Sequence, residues 1–221
     1  MKKLIVLVVI ISILSAAIPV MAAEEDAASP YLTDAEKLNA IGLFLGTDIG
    51  FELHRVPRRA EAAVMLVRLL GLESEALGGG YIHPFTDVPE WADPYVGLLY
   101  QNELTKGIGG NLYDPYSDVD AKTYLTFVMR ALGYSDDEGD FSWESAVDDA
   151  LGSGLINSLE HDVLSVEVFT RGHMAAMSYN ALNSLMKDTR VTLAASLIES
   201  GAVDLVKAIE ENFLLGPSLE K

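Results

Sequence analysis

Arg59-Ala60-Glu61-Ala62-Ala63-Val64-Met65-Leu66-Val67-Arg68-Leu69-Leu70-Gly71 is the stretch on which the fold turns. Its apolar side chains run around most of a helical circumference, the pattern of a central helix and not of a surface one. Gly71 stands where a left-handed cap closes a helix C-terminus. The same pattern returns at Ala121-Lys122-Thr123-Tyr124-Leu125-Thr126-Phe127-Val128-Met129-Arg130-Ala131-Leu132-Gly133. It returns again at Arg171-Gly172-His173-Met174-Ala175-Ala176-Met177-Ser178-Tyr179-Asn180-Ala181-Leu182-Asn183. Gly133 follows Gly71 at an offset of 62 (133 − 71), and Leu182 follows Leu132 at an offset of 50 (182 − 132). Repetition at such spacing marks units that bury their apolar faces against one another.

Outward from each core segment, a second amphipathic stretch precedes it: Asp34 to Phe44, Glu90 to Glu103 and Trp143 to Ile156. The connections carry Gly, Asp and Pro, as in Gly107-Ile108-Gly109-Gly110-Asn111 and Asp114-Pro115-Tyr116-Ser117. Thr189 to Phe213 reads as a further helical pair broken near Gly201. One such unit is too small for a good core, so the three are expected to share one. The fold class expected is all-α, with repeats at 32–76, 84–140 and 141–188 and a C-terminal helical segment at 189–221.

The chain opens on Met1-Lys2-Lys3, an aliphatic run from Leu4 to Ala17, and small residues ending at Ala22. Residues 1–22 therefore read as a secretory signal peptide, short for a membrane span and followed by acids in place of a basic flank, with a retained N-terminal anchor as the alternative. Cleavage after Ala22 removes two lysines and no acids, leaving a net charge of −20 (13 − 33). No second long apolar run follows, so the expectation is an exported chain with no membrane attachment. Such a chain either diffuses away or binds something on the cell surface. A balance of 15 Lys+Arg against 33 Asp+Glu argues against nucleic acid. The absence of cysteine excludes disulfides, thiolate metal sites and a cysteine nucleophile.

Several motifs now resemble a known family. Phe85-Thr86-Asp87-Val88, then Trp91-Ala92 and Tyr95-Val96, is similar to the opening of an S-layer homology repeat. Leu104-Thr105-Lys106-Gly107-Ile108 and Asp114-Pro115 resemble later parts of the same repeat, and Val56-Pro57-Arg58-Arg59-Ala60-Glu61 resembles its I-T-R-A-E signature. Phe169-Thr170-Arg171 is a partial copy. The resemblance covers about Asp34 to Lys187 as three repeats, the middle one the most specific. It implies a pseudo-threefold helical bundle that holds exported proteins on bacterial cell walls. The implied partner is an anionic, often pyruvylated, secondary cell wall polysaccharide, bound in grooves between repeats where the signature arginine meets its carboxylate.

Physical chemistry sorts the signature. Thr-x-x-Glu ahead of an apolar run is a capping box, which accounts for Glu61 and Thr170 without any ligand, and Asp120 reads as an N-cap. Capping does not account for the arginines. A cation at a helix N-terminus opposes the macrodipole by ~0.3–1 kcal/mol, so Arg58, Arg59 and Arg171 sit where helix stability disfavours them. A guanidinium there suits a carboxylate through paired, charge-assisted hydrogen bonds, and the alternative is pairing with nearby acids. His54, Arg55, Arg58 and Arg59 also form the one dense basic cluster in an acidic chain. Arg58 replaces the signature threonine, Ala121 stands where the second repeat's arginine belongs, and the third repeat lacks the glutamate.

The polysaccharide-binding candidates are thus Arg58, Arg59, Glu61, Thr170 and Arg171, with Tyr113 and Tyr116 as aromatic contacts. Trp91 and Trp143 offer either sugar platforms or core anchors, and Trp91 is expected in the core. The four histidines show no metal-ligand spacing, and no nucleophile elbow or phosphate-cradling loop appears, so an enzyme is not expected, nor a cofactor. Asp136-Asp137-Glu138-Gly139-Asp140 reads as a solvated inter-repeat loop without the alternation of a calcium loop. The function expected is a secreted cell-wall-binding module. The alternative is an extracellular helical scaffold that binds another exported protein at the surface.

Overall fold

A computed structural model describes residues 24–213, and it is all-α. Among these residues there is no β-sheet, only isolated bridges such as Arg58 with Asp118. The expected signal segment lies outside the described residues. From Leu32 onward the helices are α1 (Leu32–Ala40), α2 (Arg59–Leu69), α3 (Glu73–Gly79), α4 (Asp93–Gln101) and α5 (Ala121–Ala131). They continue as α6 (Ala146–Gly152), α7 (Ser158–Val166), α8 (Arg171–Asn183), α9 (Leu193–Glu199) and α10 (Leu205–Glu210).

The three quoted segments are α2, α5 and α8. Most of each is buried, from Ala60 to Leu69 on α2 and from Tyr124 to Ala131 on α5, while even Arg171, His173 and Ser178 are buried on α8. Full burial of a single Leu66 or Leu125 contributes about 1.5–3 kcal/mol, which is why these helices occupy the centre. Gly71 and Gly133 take the left-handed conformation expected of them, at φ of 72° and 90°. Asp120 caps α5 by accepting the Thr123 N–H at 2.8 Å. The expected C-terminal pair appears as α9 and α10, with Gly201 between them.

The helices ahead of the core are shorter than the amphipathic stretches suggest. Trp143 lies ahead of α6, and α4 begins at Asp93-Pro94, where proline's missing N–H costs nothing. Two helices, α3 and α7, are not expected from periodicity. The α7 start was nevertheless encoded: Asn157 Oδ1 accepts the N–H groups of Leu159 and Glu160, and Glu160 reaches back to the Asn157 N–H at 2.8 Å.

The packing follows one rule. Each preliminary helix lies on the core helix of the repeat before it, α4 on α2 and α6 on α5. Helix α1 lies on α8, which brings the start of the described helical region against the third core helix. Helix α5 also packs on both α2 and α8. Backbone bonds join the repeats at equal offsets. Arg59 and Ala60 donate to Ser117 O and Pro115 O, both at 3.0 Å, three and five residues ahead of the α5 cap. Arg171 and Gly172 donate to Arg55 O and Leu53 O, both at 2.8 Å, three and five residues ahead of the α2 cap. Among the described residues no such bond joins Ala121 or Lys122 to 165–167. An acid-rimmed groove of about 480 Å³ remains there, lined by Asp118, Asp120, Lys122, Leu164 and Glu167.

Candidate functional site

Two further grooves lie on matching faces of α2 and α5. The groove on α5 presents Thr123, Thr126, Phe127 and Arg130. The groove on α2 presents Glu61, Val64, Met65 and Arg68, each 62 residues earlier (123 − 61, for the first). In both, the arginine at the far end is locked by the same contacts. Arg130 pairs with Asp136 at 2.6 Å and donates to Leu104 O, and Arg68 pairs with Glu73 at 2.9 Å and donates to Leu43 O. Each groove takes a tryptophan from the next repeat and a signature arginine from another repeat.

The α5 groove, about 190 Å³, is lined by both Arg59 and Trp143. Arg59 is the first residue of α2, and its place is set by the backbone bonds to Ser117 and Pro115. Its guanidinium lies 5.0 Å from the Tyr113 ring centroid and has no carboxylate partner among the described residues. Burial and the loss of hydration push the Tyr113 hydroxyl up to about 12, so the ring is a neutral support for the cation. Lys106 lies at the rim, paired with Asp137 at 3.6 Å, and Glu103 also lines this groove. Trp143 is 47% exposed and donates its indole N–H to Thr123 Oγ1 at 3.3 Å. Thr105, only 5% exposed, lines the wall with its hydroxyl buried and unpartnered, and Arg59 Nε is likewise unpartnered. Each orphaned polar atom costs about 1–3 kcal/mol.

The α2 groove, about 360 Å³, is built alike but filled differently. Arg171 is 4% exposed, and every arm of its guanidinium is used. Nε donates to Phe51 O at 2.8 Å, one terminal nitrogen lies 3.3 Å from Glu61, and the other 3.4 Å from Leu45 O. Burial pulls the Arg171 pKa down, with Glu61 opposing that pull. Glu61 is itself held below the usual carboxylate range. Burial works against its charge, but the Arg55 hydrogen bonds, the Arg58 N–H and the nearby Arg171 outweigh it. Trp91, expected in the core, is 51% exposed and lines this groove, because the helix it was assigned to begins two residues later.

The expected basic cluster is dispersed by its acidic neighbours. Arg55 is held by Glu52 and Glu61, Arg58 pairs with Asp118 and donates to Tyr116 O, and His54 meets Glu25 O at 2.8 Å. Glu61 and Thr170 are caps in fact. Glu61 accepts the Arg58 N–H at 2.7 Å, and the Thr170 hydroxyl accepts the His173 N–H. Tyr113 is a correction: it is fully buried beneath Arg59 and against Phe85, so it cannot touch a glycan. Tyr116 is 62% exposed but sits at the joint with Arg58, outside the Arg59 groove. The acidic loop is partly tied down, Asp136 by Arg130 and Asp140 by Lys187. Among the described residues no group of three acids or histidines is placed to hold a metal, and no helix is long and apolar enough to cross a membrane.

Asp26 is an anchor that motif reading passed over. Its carboxylate accepts the N–H groups of Phe51, Glu52 and Leu53 at 2.7–3.1 Å. Asp87, the aspartate of the Phe85-Thr86-Asp87-Val88 motif, does the same for Tyr113 and Asp114. The signal was spacing alone, since each carboxylate lies about 26 residues ahead of its amides.

Comparison with known proteins shows what this chain is similar to. Residues 84–116 match the S-layer homology domain. A cell surface protein of Thermoanaerobacter kivui is 29% identical over 158 residues, covering 70% of this chain and 20% of that protein. A surface layer protein of Brevibacillus choshinensis is 31% identical over 121 residues, 51% of this chain and 11% of the relative. A middle cell wall protein of Brevibacillus brevis is 31% identical over 102 residues, 45% and 10% of the two chains. The chain thus spans between about a tenth and a fifth of the length of the curated relatives it matches. Over residues 84–116 the chain is similar to the S-layer homology domain, and that segment holds the Phe85-Thr86-Asp87-Val88 motif and helix α4.

Proposed function

We propose that this chain is a non-enzymatic attachment module of the bacterial cell surface, exported to the cell wall or S-layer. Its Arg59 groove takes the carboxylate of an anionic, pyruvylated wall polysaccharide. The observation that carries this is a guanidinium without a carboxylate partner, seated in a groove with an exposed indole and an orphaned threonine hydroxyl. Two parallel N–H bonds from Arg59 suit a planar carboxylate, and Trp143, which carries Lys122 5.4 Å from its ring centroid, offers its other face to a sugar ring. In a chain of net charge −18 an anion is repelled by the overall field, so such a local cationic spot is needed. The surface and wall names of the relatives, and the S-layer homology match, support the same reading.

The test is co-sedimentation of the exported chain with bacterial sacculi before and after acid removal of the secondary polymer. Binding is expected to intact sacculi and to disappear on stripping. Arg59→Ala should weaken it about tenfold or more while leaving the helical circular dichroism unchanged. Wild-type protein that ignores intact sacculi, or an Arg59→Ala variant that binds as well as wild type, would sink the proposal.

A further inference from the structure

One joint between core helices is left open. Ahead of α2 and ahead of α5 the chain makes a turn, and carbonyls two residues apart take the first two N–H groups of another core helix. Leu53 O and Arg55 O serve α8 in this way, and Pro115 O and Ser117 O serve α2. Ahead of α8 the corresponding stretch is helix α7, whose end is pinned by the Glu167 N–H on Val163 O at 2.9 Å. The first two N–H groups of α5, on Ala121 and Lys122, therefore meet no backbone carbonyl among the described residues. The groove of about 480 Å³ opens at this place. Its floor is apolar: Val119, Val147, Leu164 and Phe169 are buried, and Val168 beside them is 69% exposed. Its rim carries Asp118, Asp120, Glu144, Asp148 and Glu167 against one cation, Lys122, which lies over the Trp143 ring. Arg58 pairs with Asp118, His161 with Asp148, and Glu167 lies 3.9 Å from His173. Asp120 and Glu144 form no ion pair among the described residues.

We infer that this open joint is a docking slot for a short basic and apolar segment of another polypeptide, which takes the place of the missing turn. Charge complementarity selects the occupant. Lysine or arginine side chains meet the rim acids, apolar side chains cover the valine and leucine floor, and backbone carbonyls accept from Ala121 and Lys122 as the two native turns do at the other joints. An anionic glycan would bring acid against acid at this rim. A second copy of the chain, at net charge −18, is repelled by the same field. The slot lies apart from the Arg59 groove, with no cationic arginine in its lining, and its occupancy is independent of wall attachment.

The experiment is fluorescence anisotropy of a labelled Lys-Leu-Gly-Lys-Leu-Lys peptide titrated with the exported chain at physiological salt, with hexalysine as the control for charge alone. The mixed peptide should bind one to a chain and more tightly than hexalysine, because only it covers the floor. Nitrogen–proton NMR of the wild type should show the Ala121 and Lys122 amides shifting on addition of the peptide, a readout that needs no variant. Glu144→Lys with Glu167→Lys should weaken binding about tenfold or more, with the helical circular dichroism unchanged, since both side chains are exposed. Glu199→Lys with Glu210→Lys makes the same change in net charge outside the groove and should stay within about threefold of wild type. The inference is overturned by a peptide that does not bind, by hexalysine binding as tightly, or by the two double variants weakening alike. It is overturned equally by amide shifts that bypass Ala121 and Lys122, or by a chain that sediments as a dimer and excludes the peptide, which would make a second copy the occupant. None of these outcomes bears on the Arg59 groove.

Discussion

Arg59 and Arg171 are the same residue at the same helical position, and their surroundings give them opposite work. Arg171 is nearly inaccessible, and its three hydrogen-bonding arms tie the 45–51 stretch of the first repeat to the third. Arg171→Ala would orphan the carbonyls of Phe51 and Leu45, while Glu61 would keep Arg55. The expected loss is about 2–4 kcal/mol, read as a fall in the urea midpoint at constant slope. Arg59→Ala, by contrast, removes a half-buried side chain with no ion pair and should cost under about 1 kcal/mol. Equal losses for the two variants would contradict the division of roles. The sequence offered both arginines as ligand candidates, because nothing within a few residues of Arg171 announces that Glu61 lies across from it.

Elements depend on more local information, and correspondingly more of them were legible. Apolar periodicity located α2, α5 and α8, and Gly71 and Gly133 marked the ends of the first two. Both glycines adopt left-handed backbone that costs an alanine about 1–2 kcal/mol, yet their neighbours differ. A Cβ at Gly71 would lie 2.9 Å from Leu197 Cδ2 and 3.1 Å from Ala202 Cβ, whereas at Gly133 the nearest atom is Lys187 Cβ at 3.7 Å. Gly71→Ala should therefore destabilise by about 2–3 kcal/mol and Gly133→Ala by about 1–2, measured by chemical denaturation. The reverse order would show that α9 does not press on the end of α2 as described. Helices α3 and α7 escaped detection because they are short and polar-faced. Packing on α4 holds α3, and packing on α6 together with the Asn157–Glu160 capping box holds α7.

At the scale of the whole molecule, protonation is the lever. His173 is buried against Tyr31 and Phe169, with Glu167 3.9 Å from Nε2, and burial holds its pKa below the ordinary value near 6.5. The unfolded chain therefore takes up a proton that the folded one refuses. This stability is complete above about pH 6.5 and is lost as pH falls from there through the folded value. Glu61 and Asp136, both held low by arginines, add a second loss below about pH 4.5. His161 runs the other way, raised by its bond to Asp148, but it is solvent-exposed and its effect is screened. The urea midpoint should fall between pH 7 and pH 5, and His173→Gln should flatten that part of the curve. A wild-type midpoint that does not change over that interval would contradict the buried neutral ring.

What the sequence by itself determined is the part of this protein decided by neighbours within a turn or two: the core helices, their caps, the helical class and the S-layer homology of the middle repeat. Tertiary structure alone decided the rest. It set α1 on α8, put Asp26 under the 51–53 amides, and buried Tyr113 while exposing Trp91. It also supplied Arg171 with a carboxylate 110 residues away and denied one to Arg59. The physical reason is that a guanidinium's role depends on which acids surround it in space, and where the first helix packs on the third core helix those acids come from distant parts of the chain.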